Sequence, residues 1–265
     1  MITPRSAVRL LAAVALLAGM GASPAGAADM TADEVRALLA QPRDGKAVSL
    51  AKRDLSDLDL SKLDLHGVDL SYAKLFGTRL ASADLRGAKL VGANLNGAWV
   101  MGADFSGADL TNASMLSLVV VGGDVKARPR FVGAKMGGVR IIAELDGADL
   151  TDAYLFAARL GVDIKNQGMG QMRTNLTAAK LKGANLAGAD LNRTVLRFAD
   201  LRGADLRNAN LFRADLSGAD LGGANVAGAD FSEAVLDVVR LNDLEGADLA
   251  RGLPAAQGDK LKKKP

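Results

Sequence analysis

Along most of this chain an apolar residue returns every five positions. The clearest run, from Ala199 to Phe231, reads ADLRG ADLRN ANLFR ADLSG ADLGG ANVAG ADF, with Leu, Val or Phe at each fifth position, Ala two before it, and Asp or Asn between. The pattern begins at Leu50 and keeps one frame through Leu85, Val100, Phe105, Val120 and Val125. A single extra residue then shifts it to Phe131, Met136 and Ile141, and a deletion restores it at Leu145, Leu150, Leu155 and Leu160. An irregular stretch, residues 165–173, follows Ile164; the repeat resumes at Leu176, runs to Leu241, and fades through Leu244 and Leu249. Slips of one residue in so long a pattern predict bulges in one continuous object, not a boundary between domains.

The period selects the local structure. In a helix five residues turn about 500°, which would scatter successive Leu around the surface, and frequent Gly opposes a long helix as well. In an extended segment residues two apart share a face, so the Ala and Leu of A-D-L point inward and the Asp points outward. The other two residues, often ending in Gly, turn the chain. Repetition of strand and turn makes a coil, and coils stack with about 4.8 Å per layer. A fully buried Leu contributes about 1.5–3 kcal/mol, which only a stack of coils can realise.

Ahead of the repeat, Thr31-Ala32-Asp33-Glu34 has the form of a capping box, with Val35, Leu38 and Leu39 at helical spacing behind it. These predict a helix over about residues 32–41, ended by Pro42 and Gly45. It is too short to stand alone, so its apolar side must rest on the start of the repeat.

Composition supports construction by repetition: 49% of the 265 residues are hydrophobic, yet only 4% are aromatic, and Gly numbers 30. At the N-terminus, Arg5 and Arg9 precede the apolar run Leu10–Leu17, and Ala25-Gly26-Ala27 is a small-x-small cleavage site. This is the pattern of a secretory signal peptide, with an uncleaved anchor as its rival. The expected organisation is therefore a signal peptide over 1–27, a segment with a capping helix over 28–47, the repeat over 48–250, and a basic, disordered tail over 251–265. Export implies a periplasmic or secreted bacterial protein. Without Cys there can be no disulfide, thiolate nucleophile or thiolate metal site. Cleavage after Ala27 would take the net charge from +3 to +1; residues 259–265 hold +3, which leaves about −2 on 28–258. That balance argues against a nucleic-acid-binding body.

The motif A-[DN]-L-x-x, as in Ala83-Asp84-Leu85-Arg86-Gly87 and Ala204-Asp205-Leu206-Arg207-Asn208, resembles the pentapeptide repeat family. The resemblance covers nearly everything from about residue 48 to 250. It implies an all-β fold, a right-handed quadrilateral parallel β-helix of four pentapeptides per coil and about ten coils. The first function expected is an exported, non-catalytic scaffold without a cofactor that mediates protein–protein interactions in the cell envelope or periplasm. Some members resemble duplex DNA in shape and charge and bind DNA gyrase, conferring quinolone resistance; that is the alternative function.

Stacking the sequence at twenty residues per coil places Asp64, Asp84, Asp104 and Asp124 in one outward column. Such carboxylates are expected to accept N–H groups at their own corners, since the same position recurs all over the coil. An apolar outward patch is expected from Trp99, Met101, Val119 and Val121, with Ile142 in the next layer and Leu116, Tyr154 and Phe156 on a neighbouring face. It either binds a partner or lies beneath the protein's own 165–173 stretch. Lys126, Arg128 and Arg130 form a basic loop, read foremost as solvated. His66 is the single histidine, so neither a His-assisted nucleophile nor a multi-histidine metal site can be built; no metal or cofactor site is expected. The partner is an unidentified protein, with a homodimer through a β-helix end or the apolar patch as a further candidate. Membrane contact is suggested only by the Lys-rich tail, at about 1 kcal/mol per lysine.

Overall fold

A computed structural model describes residues 28–41, 47–120, 127–162 and 173–254. The five-residue period forms a four-sided parallel β-helix. Each outward residue bridges the residue one coil away, so four columns rise along the rod, starting at Ser49, Asp54, Asp59 and Asp64; these define faces one to four. The first column runs Ser49, Asp69, Lys89, Asp109, Lys135, Tyr154, Asn185, Asp205, Asn225, Glu245, which makes ten layers.

The backbone ladder explains why outward positions tolerate any side chain. Leu50 donates its N–H to the Asp69 carbonyl (2.7 Å), and Asp69 donates its own to Val48 (2.9 Å), so adjacent coils are joined in both directions by groups common to every residue. At each corner the Ala N–H closes a turn onto the preceding Leu carbonyl, as from Ala73 to Leu70 (3.0 Å). The residue before that Ala has positive φ, most often Gly. Gly92 (φ +63°) shows the second reason for glycine there: a Cβ would lie 2.6 Å from the Tyr72 ring, which leans over it from the coil below.

Inside, the Leu, Val and Phe of the repeat and the Ala before them form one continuous buried core. Three threonines replace that Ala without leaving a polar group stranded: Thr78 donates to the Leu55 carbonyl, Thr174 to Ile141 and Leu160, and Thr194 to Leu160. Two regular strands interrupt the single bridges, β1 (Ser114–Leu116) and β2 (Arg140–Ile142), paired in parallel.

Two slips in the period prove larger than they look in sequence. Asp104 meets Arg130, 26 residues on, where a regular coil takes 20. The register between these coils is therefore six residues longer than the regular twenty, one pentapeptide plus one, and not longer by a single residue. Arg130, not Asp124, stands next to Asp104 in the acidic column; Asp124 and Val125 lie outside the described residues. Similarly, Glu144 pairs with Asn175 across 31 residues, 11 more than a regular coil, and the extra residues fall in sequence between Arg159 on face two and Asn175 on face three. The one-residue deletion behind β2 is as expected: Arg130 meets Asp149 and Arg140 meets Arg159, each one residue short of a full coil.

The helix α1 (Ala32–Leu39) closes the N-terminal end with the capping box complete: Thr31 Oγ1 accepts from the Glu34 N–H (3.2 Å), and the Glu34 carboxylate accepts from the Thr31 N–H (2.7 Å). Val35 is fully buried, with Met30, Leu38 and Leu39 packed on the core beside it. Asp29 stands in for a missing coil, donating to the Asp54 carbonyl (2.7 Å) while its carboxylate takes the Asp54 N–H (2.8 Å). The other end differs. Its interior residues Leu236, Leu241 and Leu244 are only partly buried, and a short 3₁₀ turn at Ala247–Leu249 leaves Leu249 exposed. The wall continues to Arg251, which bridges Asp230. Residues 1–27 and 255–265, the expected signal peptide and most of the expected tail, lie outside the described residues.

Candidate interaction surfaces

The outward Asp and Asn carry the commonest polar device of the rod. Asp59 Oδ1 accepts the Ser61 N–H (3.0 Å), Asp104 that of Ser106 (2.9 Å) and Asp220 that of Gly222 (3.0 Å), each an Asx turn within its own corner. Where the sequence reads Asp-Leu-Arg, both polar side chains point outward and meet. Arg86 grips Asp84 through Nε (2.9 Å) and Nη2 (2.6 Å), and Arg202 and Arg207 grip Asp200 and Asp205 the same way. Bonded first by the Arg86 side chain, the Asp84 carboxyl is lowered to about 2. Between coils the same logic pairs Lys74 with Asp54 and Lys180 with Asp149. The carboxylates serve corners and cations, and among the described residues no acidic or His cluster could hold a metal ion.

Because the Asp84 carboxyl is held below its ordinary 3.8, its contribution to stability is present above about pH 4 and is lost as the pH falls toward 2. Arg86→Ala removes the largest cause. We expect the Asp84 titration to move up toward 3.8, read from its side-chain carbonyl carbon shift, and acid unfolding to begin at higher pH. Stability at neutral pH should change by less than about 1 kcal/mol, because the pair lies at the surface.

The expected apolar patch resolves into two sites. Trp99 and Val119 follow each other on face three, and Leu116 and Ile142 are paired through β1 and β2 along the corner leading to it. These four residues form one apolar strip, with the Arg79 guanidinium 5.4 Å from the Trp99 ring centroid. Met101, expected outside, is buried, 5% exposed; Val121 lies outside the described residues. Tyr154 and Phe156 stand apart, on face one and the corner between faces one and two, their rings stacked at 6.1 Å. The twenty-residue stacking misplaced them because it ran through insertions of unknown length. Lys126 and residues 165–172 also lie outside the described residues. Arg128 pairs with Asp146, and Arg130 with Asp104 (3.4 Å), so these two basic residues are tied to neighbouring coils. His66 donates its backbone N–H to Asp64 Oδ1 (3.0 Å) on the outer wall.

Sequence reasoning overlooked a hollow of about 650 Å³ between faces three and four, near the open end. Phe198 and Val238 flank Gly218 there, beside the Asp200–Arg202 and Asp220–Arg240 pairs. The signal was present: Phe198 and Val238 occupy turn positions that elsewhere hold Gly.

A stack of identical coils with polar columns, two apolar exceptions and a capped end defines a non-globular repeat solenoid. The chain belongs to the pentapeptide repeat family. The model of pentapeptide repeats matches residues 78–116, 174–211 and 209–249. HetL, a pentapeptide repeat protein involved in heterocyst differentiation regulation from the cyanobacterium Nostoc sp. strain PCC 7120, is 32% identical, over 84% of this chain and 94% of that one, with a TM-score of 0.38. QnrB1, a plasmid-mediated fluoroquinolone resistance protein, is 18% identical over 76% and 91% of the two chains, with a TM-score of 0.45. Rfr23 from the cyanobacterium Cyanothece 51142 is 23% identical over 56% and 90%, with a TM-score of 0.27. No curated protein matches.

Proposed function

We propose that this chain is an exported, non-catalytic scaffold that binds a protein partner in the periplasm or outside the cell. The single observation that carries the interaction reading is the strip of Trp99, Val119, Leu116 and Ile142. Elsewhere the outward columns are mostly polar and tied into ion pairs or Asx turns, whereas here apolar side chains follow one another across coils. Export rests on the sequence of residues 1–27, with Arg5 and Arg9 ahead of an apolar run and an Ala25-Gly26-Ala27 site. A second copy could add to the partly open C-terminal coil, whose interior Leu236, Leu241 and Leu244 are not fully covered. The gyrase-binding alternative is disfavoured by charge: with about −2 on residues 28–258 and most arginines paired to carboxylates, the rod lacks the acidic surface of a DNA duplex.

The test is fractionation and affinity capture of the full chain beside Trp99→Asp. The wild type should lose residues 1–27 and appear in the envelope or medium with a partner. Trp99→Asp should be exported and folded but lose the partner or the self-association. Cytoplasmic protein retaining residues 1–27 would overturn the export reading, and unchanged partners in Trp99→Asp the interaction reading.

A further inference from the structure

Phe198 and Val238 are the two most exposed large apolar side chains among the described residues, at 67% and 89%. They occupy the same turn position on the corner between faces three and four, two coils apart, with Gly218 between them. Phe198 leans along that corner: a Cβ on Gly218 would lie 2.5 Å from its ring. One side of the ring is thereby seated on the wall, and the rest borders the hollow whose other lip is Val238. Val238 carries a second signal. Its φ is +57°, a left-handed conformation that a β-branched residue rarely adopts, and it is the only β-branched side chain so placed among the described residues. Gly218 holds the same conformation (φ +70°) without strain. Because the Val238 side chain is almost wholly exposed, no packing within the described rod offsets its strain. Strain retained at an exposed apolar side chain points to a contact made with something else.

The charges narrow what that is. Arg202 pairs with Asp200, and Arg240 with Asp220 through one bond of 3.3 Å. Asp237 also lines the hollow and meets no cation among the described residues, which leaves the hollow acidic by one charge. A fitting occupant is cationic and carries an apolar anchor. The chain has such a segment close by. Arg251 bridges Asp230 on face two, so the described wall stops three residues later, at Pro254, beside the corner that leads to face three. Residues 255–265 follow; they hold a net +3, and their one large apolar residue, Leu261, stands between Lys260 and Lys262. The wall crosses a face in five residues, as from Val235 to Arg240, so the seven residues from Pro254 to Leu261 cover the distance to the hollow.

We propose that the hollow between Phe198 and Val238 is the docking site of this chain's own C-terminal segment, with Leu261 between the two side chains and the flanking lysines at Asp237 and Asp220. A short flexible link holds a tethered segment at an effective concentration of about millimolar, so one apolar anchor and exposed ion pairs suffice to seat it. Being exposed, those pairs weaken as salt is added. The contact is made within one chain and involves neither the Trp99 strip nor residues 1–27, so it stands or fails apart from the scaffold reading.

The test is nuclear magnetic resonance on the isotope-labelled full chain. We expect nuclear Overhauser contacts from the Leu261 methyl groups to the Phe198 ring and the Val238 methyl groups, with backbone order parameters of ~0.8 at residues 260–262, near the range of ordered backbone. Phe198→Ala should abolish the contacts and bring those order parameters below about 0.6. Asp237→Lys should lower them as well, whereas Tyr72→Ala leaves them unchanged. All three altered side chains are exposed, and far-ultraviolet circular dichroism checks that each variant keeps the wild-type fold. Order parameters at 260–262 that are equally low in the wild type and in Phe198→Ala overturn the proposal. So do contacts that arise only between differently labelled copies in a mixed sample, which would assign the hollow to a second copy's segment. Ordering of residues 260–262 only on phosphatidylglycerol vesicles, with the Val238 methyl shifts unmoved, would assign the lysines to a membrane surface and overturn it too.

Discussion

Phe131→Ala is expected to destabilise the rod by about 3–5 kcal/mol and to split its unfolding into two steps. Phe131 is fully buried and stacks on Phe105, ring centroids 5.0 Å apart and planes within 10°. The pair spans the coil whose register is six residues longer than the regular twenty, so the rings join the interior beside that insertion. In a solenoid each coil is held by its neighbours, and stability is a sum of coil terms and interface terms. Weakening one interface beside an insertion lets the two sides unfold apart. Trp99, the sole tryptophan, reports on the N-terminal side, whereas far-ultraviolet circular dichroism reports on the whole. Urea transitions from the two probes should coincide in the wild type and separate in Phe131→Ala. Coincident transitions with a cost below about 1 kcal/mol would show that the stack is not the critical joint.

What could be seen in the sequence follows from the chemistry that repeats. A period of five with Ala two before Leu specifies an extended segment and a turn, and Leu50 to Phe231 did enter one core. The Thr31–Glu34 capping box was equally legible because both halves of it are local. Slips were misjudged because a five-residue frame cannot distinguish one extra residue from six; Phe131 returns to phase either way. That error propagated through stacking, so Asp124 was placed beside Asp104 and Tyr154 beside the Trp99 face. Met101 was misjudged for another reason. Its position is outward by local alternation, yet the side chain is buried, and burial at a corner depends on what surrounds it in three dimensions. The ion pairs within Asp-Leu-Arg were readable in principle, since the two polar residues share a face at that spacing. Pairs across coils, such as Arg197 with Asp215, required the register first.

Val35→Asp should cost about 3 kcal/mol and turn the N-terminal end of the rod into a site of self-association. Val35 is the fully buried residue of α1, and an ionised carboxylate cannot remain there without a partner. The penalty has a ceiling, because the helix can undock; the loss is then the helix's own docking energy, about 1.5–3 kcal/mol for Val35 plus part of that for Leu38 and Leu39. Undocking has a second consequence. Asp29 satisfies both backbone groups of Asp54, and Arg36 Nη2 donates to the Asp59 carbonyl (2.9 Å), so release of this segment uncovers the edge of the first coil and the apolar surface above Leu50 and Leu55. Such an edge is a template for pairing with another chain. Light scattering across a concentration series should show association beyond the wild type, and hydrogen exchange should rise first at residues 50–60. Val35→Ala, which shrinks the contact without charging it, should lose about 1–2 kcal/mol and keep the wild-type oligomeric state. Unchanged scattering and stability in Val35→Asp would mean that the first coil is complete without its helix.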